Sequence, residues 1–153
     1  MRKLVIVAAL LVTAGSAKAE VGLGLFVGAP IGLDLKLDIA PRASIDLLFG
    51  WSNIPRADRS HYAHLTFLGT PFVSYGESIV VPLRLGVGIA VYDDDAFNTA
   101  DVAVRAPLEL AIKFRRTPLE IYGEIAAEIT FVDNFAQNDF FDLQGGVGIR
   151  VYF

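Results

Sequence analysis

Ile31-Gly32-Leu33-Asp34-Leu35-Lys36-Leu37-Asp38-Ile39 has Ile or Leu at every odd position and Gly, Asp, Lys and Asp at the even ones. Successive side chains of an extended chain point to opposite faces, so this stretch has one wholly apolar face and one charged face. On a helix of 3.6 residues per turn the same residues would scatter charge around the whole cylinder. The stretch therefore predicts a strand lying between an apolar and a polar phase.

The same period returns along the chain. Alternating segments at about 21–28, 31–39, 43–51, 62–75, 79–92, 101–114, 119–131 and 140–153 predict eight strands. One face carries Leu23, Leu25, Leu47, Phe49, Leu65, Phe67, Leu83, Leu85, Val87 and Ile89. It continues through Val104, Leu108, Leu110, Ile112, Ile121, Ile125, Ile129, Val147, Ile149 and Val151. The other carries Asp34, Lys36, Asp38, Asp46, Arg84, Arg105, Glu109, Lys113, Glu120, Glu124, Glu128, Asp142 and Arg150. None of these charges falls on the apolar side.

Segregation alone does not orient the faces. A soluble barrel or sandwich buries its apolar face, whereas a membrane barrel turns it to lipid. Three features favour lipid. Gly22, Gly24, Gly32, Gly50, Gly86, Gly88, Gly146 and Gly148 share the charged face, and a narrow barrel interior needs small residues beside large ones. Beyond residue 19 the only lysines are Lys36 and Lys113, few for a solvated exterior. An eight-stranded interior is also just wide enough for its own side chains, too narrow for so many Leu, Ile, Val and Phe. The expected fold is all-β: an eight-stranded antiparallel up-and-down transmembrane β-barrel. Aromatics near strand ends (Phe49, Trp51, Tyr62, Tyr75, Tyr92, Phe114, Phe131, Phe141, Tyr152, Phe153) are expected to form interfacial girdles.

An even strand count puts both barrel termini on one side. Ala40-Pro41-Arg42, Gly76-Glu77-Ser78 and Arg115-Arg116-Thr117-Pro118 would be the short periplasmic turns. Gly28-Ala29-Pro30, Ser52 to His61, Asp93 to Ala100 and Val132 to Asp139 would be the outer connections. Upstream, Met1-Arg2-Lys3, an apolar run from Leu4 to Val12 and Ala17-Lys18-Ala19 have the form of a secretory signal peptide. Cleavage after Ala19 would leave residues 20–153 as the barrel domain, with 10 Lys+Arg against 17 Asp+Glu, a net charge of −7. An acidic chain without a basic block argues against nucleic acid as a partner. Without cysteine there can be no disulfide or thiolate metal site.

The inward charges can be paired across strands. Setting Phe114 opposite Leu119 places Lys113 against Glu120, Glu109 against Glu124 and Arg105 against Glu128. The neighbouring hairpins bring Arg84 to Glu109 and Lys36 to Asp46, and loss of Glu124 is expected to strand Arg150 or shift the network. Such a plug fills the lumen, because an unpaired buried charge costs several kcal/mol. The same residues offer few footholds for other chemistries. Glu120, Glu124 and Glu128 share one strand face, but acid–base catalysis needs a carboxyl beside a substrate-sized cleft. His61 and His64 invite comparison with outer-membrane lipid A deacylases, whose triad is His-Ser-Glu, yet no nucleophile–base–orienter set assembles. Asp93-Asp94-Asp95, with Asn98 and Asp101, offers oxygen ligands for Ca²⁺ or Mg²⁺ but lacks the spacing of a calcium loop. Gly22-Leu23-Gly24 and Gly145-Gly146-Val147-Gly148 precede no helix, so no nucleotide loop is in play. No catalytic, cofactor-binding or metal residue is assigned, and no cofactor is expected.

The chain from Glu20 to Phe153 resembles the small eight-stranded outer-membrane proteins of the OmpX, OmpA-barrel and opacity-protein type. Its end, Val147-Gly-Ile-Arg-Val-Tyr-Phe153, resembles the recognition signal of such barrels, which implies the barrel-assembly machinery as a partner. Gly22-x-Gly24-x-x-x-Gly28-x-Pro30-x-Gly32-Leu33-x-x-Lys36, followed by Ala43-x-Ile45-Asp46-x-x-x-Gly50-Trp51-Ser52, is similar to a family of uncharacterised bacterial secreted proteins. The second family brings no assigned activity and transfers no site residue; the expected role is that of a monomeric, non-enzymatic barrel among the lipids of the cell outer membrane, serving envelope structure or surface interaction. The alternatives are a lipid-modifying enzyme of the same membrane and a soluble periplasmic barrel binding an apolar ligand.

Overall fold

The computed structural model describes residues 20–51, 61–94, 99–132 and 141–153. They form β1 (Val21–Ala29), β2 (Ile31–Ala40), β3 (Ala43–Trp51), β4 (His61–Tyr75), β5 (Ile79–Asp94), β6 (Thr99–Phe114), β7 (Leu119–Val132) and β8 (Phe141–Tyr152). Each strand pairs antiparallel with its chain neighbours, and β8 returns to β1 to close the barrel. Closure leaves no row of unpaired backbone N–H and C=O groups at an edge. In a lipid phase, where water cannot satisfy such groups, that is a requirement.

Several strands run slightly further than the alternation predicts, while β8 stops at Tyr152. At the Asp93–Ala100 connection the ladder continues through Asp93↔Ala100 and Asp94↔Thr99, shortening the connection to 95–98. His61 likewise joins β4 opposite Trp51, and Ala29 and Ala40 end β1 and β2. Each added rung satisfies a backbone pair that a loop would leave to solvent. In β4 the register shifts between Gly69 and Phe72. Pro71 lies there, and proline has no N–H to give a ladder.

All five expected cross-strand pairs are present in the backbone register: Lys113↔Glu120, Glu109↔Glu124, Arg105↔Glu128, Arg84↔Glu109 and Lys36↔Asp46. The charged face points inward. Asp34, Glu109 and Glu120 are fully buried, whereas Leu33, Val87 and Val147 are 59%, 59% and 62% exposed on the outer wall. A soluble barrel that buries its apolar face is therefore not the arrangement adopted.

The girdle expectation needs a correction. Phe49, Trp51, Phe131 and Phe141 stand on the outer wall at the end carrying the 52–60, 95–98 and 133–140 connections, here the loop end. Phe72, Tyr75, Phe153 and the partly exposed Phe114 stand at the opposite, turn end. Tyr62, Tyr92 and Tyr152 instead face the lumen. Their positions share the parity of His64, Ala90 and Arg150, so alternation carries them inside.

Inside, bulk on one strand lies over glycine on the next. Tyr122 pairs with Gly148, where a Cβ would come within 2.3 Å of the Tyr122 ring. Tyr152 pairs with Gly22 in the same manner, at 3.0 Å. In a lumen of this width a glycine on the neighbouring strand makes room for a phenol ring at these two places.

Candidate functional site: the charged lumen

Arg150 organises the interior. From β8 its Nη2 donates to Asp46 Oδ1 of β3 at 2.8 Å. Its Nη1 donates to Glu109 Oε2 of β6 at 2.8 Å and to Glu120 Oε1 of β7 at 3.1 Å. Nε donates to Asp34 of β2. The guanidinium also lies 3.6 Å from the Tyr122 ring centroid. A planar fork with five donors suits this work, where a single ammonium could not reach four carboxylates at once.

Two further arginines divide the remaining carboxylates. Towards the turn end, Arg84 holds Glu120 through two bonds of 3.0 and 2.7 Å and also donates to Glu109. Towards the loop end, Arg105 donates to Glu124 Oε1 at 2.5 Å, to His64 Nε2 at 2.9 Å and to Thr66 Oγ1 at 3.1 Å. Its Nε lies 3.3 Å from Glu128 Oε1. Since arginine only donates, His64 Nε2 accepts there, and Nδ1 faces the Tyr62 hydroxyl at 3.1 Å. At the turn-end mouth Lys36 donates to Asp38 and, at 3.3 Å, to Tyr152.

Among the described residues the buried charges are Lys36, Arg84, Arg105 and Arg150 against Asp34, Asp46, Glu109, Glu120, Glu124 and Glu128, four cations to six carboxylates. Tyrosine hydroxyls make up for the missing cations. Tyr122 donates to Asp34, Tyr62 and Tyr92 to Glu128, and Tyr152 to Glu120. Hydrogen bonds to a charged acceptor are about twice as strong as neutral ones, so a phenol is an effective partner for a carboxylate held away from water. The sequence reading missed these four tyrosines as lumen residues. Parity with the adjacent charges was the signal that would have found them.

Three expected pairings are overturned at the side-chain level although the backbone register holds. Lys36 turns to Asp38, not Asp46. Lys113 pairs with Glu20, not Glu120. Glu124 holds Arg105, not Arg150. In so tightly curved a barrel the inward side chains converge, and a long side chain reaches across the lumen as easily as to the next strand. The same convergence settles Glu109 and Glu124, like charges directly opposite each other. Arg84 and Arg150 take the first, and Arg105 takes the second.

The other candidates do not form a site. Glu120, Glu124 and Glu128 each accept from inward-facing donors: Glu120 from Arg84, Arg150 and Tyr152, Glu124 from Arg105, and Glu128 from Tyr62 and Tyr92. His64 is buried, with its ring nitrogens facing Tyr62, Arg105 and Asp46, while His61 is exposed at the loop end of β4. They do not meet. Asp93 and Asp94 close β5, but Asp95 and Asn98 lie outside the described residues, and with them most of the acidic connection that offers oxygen ligands. A recess of about 400 Å³ lies at the turn-end mouth, lined by Asp38, Ser44, Thr70, Tyr75, Arg84 and Lys113 among others.

No family model matches this chain. No curated protein matches it either. Among solved structures it is similar to the N-terminal β-barrel domain of Pseudomonas aeruginosa OprF, at 10% sequence identity and a TM-score of 0.53, over 88% of this chain and 96% of that one. At this identity the likeness is one of fold. The chain has an outer-membrane-type, eight-stranded β-barrel fold.

Proposed function

We propose that the protein is a non-enzymatic component of a Gram-negative outer membrane, a closed barrel that strengthens the envelope or displays its loop-end connections to partners outside. The observation that carries this reading is the inverted polarity of the barrel. An exposed apolar wall, bounded at both ends by aromatic side chains, surrounds a lumen whose charges are consumed by one another. Lipid is the solvent that such a wall requires, and a lumen crossed by arginine side chains that hold carboxylates of several strands argues against a channel and against a free catalytic base.

Residues 1–19 act in this reading as the secretory leader, and the mature chain starts at Glu20. The last strand, ending at Phe153, is the element read by the barrel-assembly machinery, and the barrel works as a single chain. The test is to fractionate cells producing the protein and run outer-membrane extracts with and without boiling. The expected result is a fast-migrating band that shifts on boiling, a mass starting at Glu20, and unchanged extracted lipid A on overproduction. Recovery in the soluble periplasmic fraction would overturn the membrane reading. A modified lipid A would overturn the non-enzymatic one.

A further inference from the structure

The two ends of the barrel differ in charge. The turn-end connections 41–42, 76–78 and 115–118 contain Arg42, Arg115 and Arg116 against Glu77, a net of +2. The loop-end connections 52–60, 95–98 and 133–140 contain Arg56 and Arg59 against Asp58, Asp95, Asp133 and Asp139, a net of −2. Among the described residues no carboxylate pairs with Arg42 or Arg116, and Arg115 lies 5.9 Å from the Tyr75 ring centroid, itself a girdle residue.

Arg115 and Arg116 border an open groove of about 420 Å³ between the β6–β7 turn and the end of β8. Phe114 and the 80% exposed Phe153 form its apolar side, and Lys113, held by Glu20, lies behind. Apolar rings at the edge of a lipid-facing wall, with two guanidiniums one step beyond them that hold no carboxylate among the described residues, match the order of groups along a phospholipid from acyl chain to phosphate. Guanidinium also matches phosphate oxygens by paired donors.

We infer that this groove binds the phosphodiester headgroup of an anionic glycerophospholipid, and that Arg115 and Arg116 thereby anchor the turn end in a phospholipid leaflet. The inference rests on the membrane reading above. A basic residue near an anionic lipid surface raises binding about 5-fold, so the pair can supply a preference of up to roughly 30-fold, less at high salt.

The mature protein is refolded into detergent micelles doped with equal phosphatidylglycerol and phosphatidylcholine, and retained lipid is read by native mass spectrometry. The expected result is one phosphatidylglycerol retained in clear preference to phosphatidylcholine. The preference is lost in Arg115→Ala/Arg116→Ala, largely kept in Arg115→Lys/Arg116→Lys, and unchanged in Arg42→Ala. Equal retention of both lipids by the unaltered protein, or an undiminished preference in the double alanine variant, would overturn the inference. So would complete displacement of the lipid by excess inorganic phosphate, which would mark a simple anion site. Heat-modifiable migration of each variant is recorded alongside. A protein that never folds into micelles counts against the membrane reading itself, whereas one that folds without lipid preference counts against this inference alone.

Discussion

Arg150 lies 3.6 Å from the centroid of the Tyr122 ring, and both side chains donate to the same oxygen of Asp34. The ring thus does two things: its face meets the guanidinium, and its hydroxyl shares the guanidinium's counter-ion. These parts separate by mutation. Tyr122→Phe keeps the ring over Gly148 and removes one donor from a buried carboxylate, a loss of about 1–3 kcal/mol. Tyr122→Ala also removes the packing, and truncations of buried aromatics cost about 3–5 kcal/mol. Urea unfolding in lipid vesicles should rank unaltered protein, Phe and Ala in that order; equal stability of the first two would show that the hydroxyl contributes nothing.

Arg150→Met should cost about 3–5 kcal/mol, the usual result of breaking a buried charge network from one side. The damage should concentrate on Asp46. Glu109 and Glu120 retain Arg84, and Asp34 retains Tyr122, whereas Asp46 is left facing His64 Nε2, which accepts from Arg105 and gives the carboxylate no proton. Adding Asp46→Asn should therefore restore part of the loss, with a coupling of about 0.5–3 kcal/mol. Glu128→Gln in the same background should be additive, since Glu128 depends on Tyr62, Tyr92 and Arg105.

On the outer wall the penalty for charge should follow depth. Leu110, 54% exposed between Leu108 and Ile112, would place an arginine in the hydrocarbon, at a cost of about 2–4 kcal/mol. Tyr75→Arg, at the turn-end edge of β4, should cost about 0–1 kcal/mol. Equal effects in vesicle unfolding titrations would mean that the apolar wall does not face lipid.

Planar-bilayer recordings should show no stable, high-conductance openings. An eight-stranded interior is filled by its own side chains, and here Arg84, Arg105 and Arg150 are buried across it, tied to carboxylates on several strands. Porin-like steps from the purified protein would contradict this lumen.

Substituting Gly148 should be expensive because a Cβ would meet the Tyr122 ring at 2.3 Å. Gly148→Ala should slow or reduce folding into vesicles, and Gly148→Ala/Tyr122→Leu should recover part of it, since the shorter side chain vacates that space. Failure of the second change to help would show that backbone approach, not the ring, demands glycine there.

The amino-acid sequence by itself determined the eight strands, their apolar and charged faces and five of the cross-strand pairs, but not the shifts of register such as that between Gly69 and Phe72. Alternation is a local property of extended backbone, so Ile31–Ile39 declares its two faces without reference to the rest of the chain. The short turns at Pro41-Arg42 and Arg115–Pro118 then pin which residues stand opposite, as Lys36↔Asp46 and Lys113↔Glu120 demonstrate. Only the tertiary structure decided which charges hold which. Arg150 draws on β2, β3, β6 and β7, and those strands are brought within reach of β8 by closure of the barrel, not by proximity in the chain. The same curvature turned Tyr62, Tyr92, Tyr122 and Tyr152 into partners for buried carboxylates. A partner chosen across a lumen depends on side-chain length and the width of the gap, and neither can be read from pairing between adjacent strands.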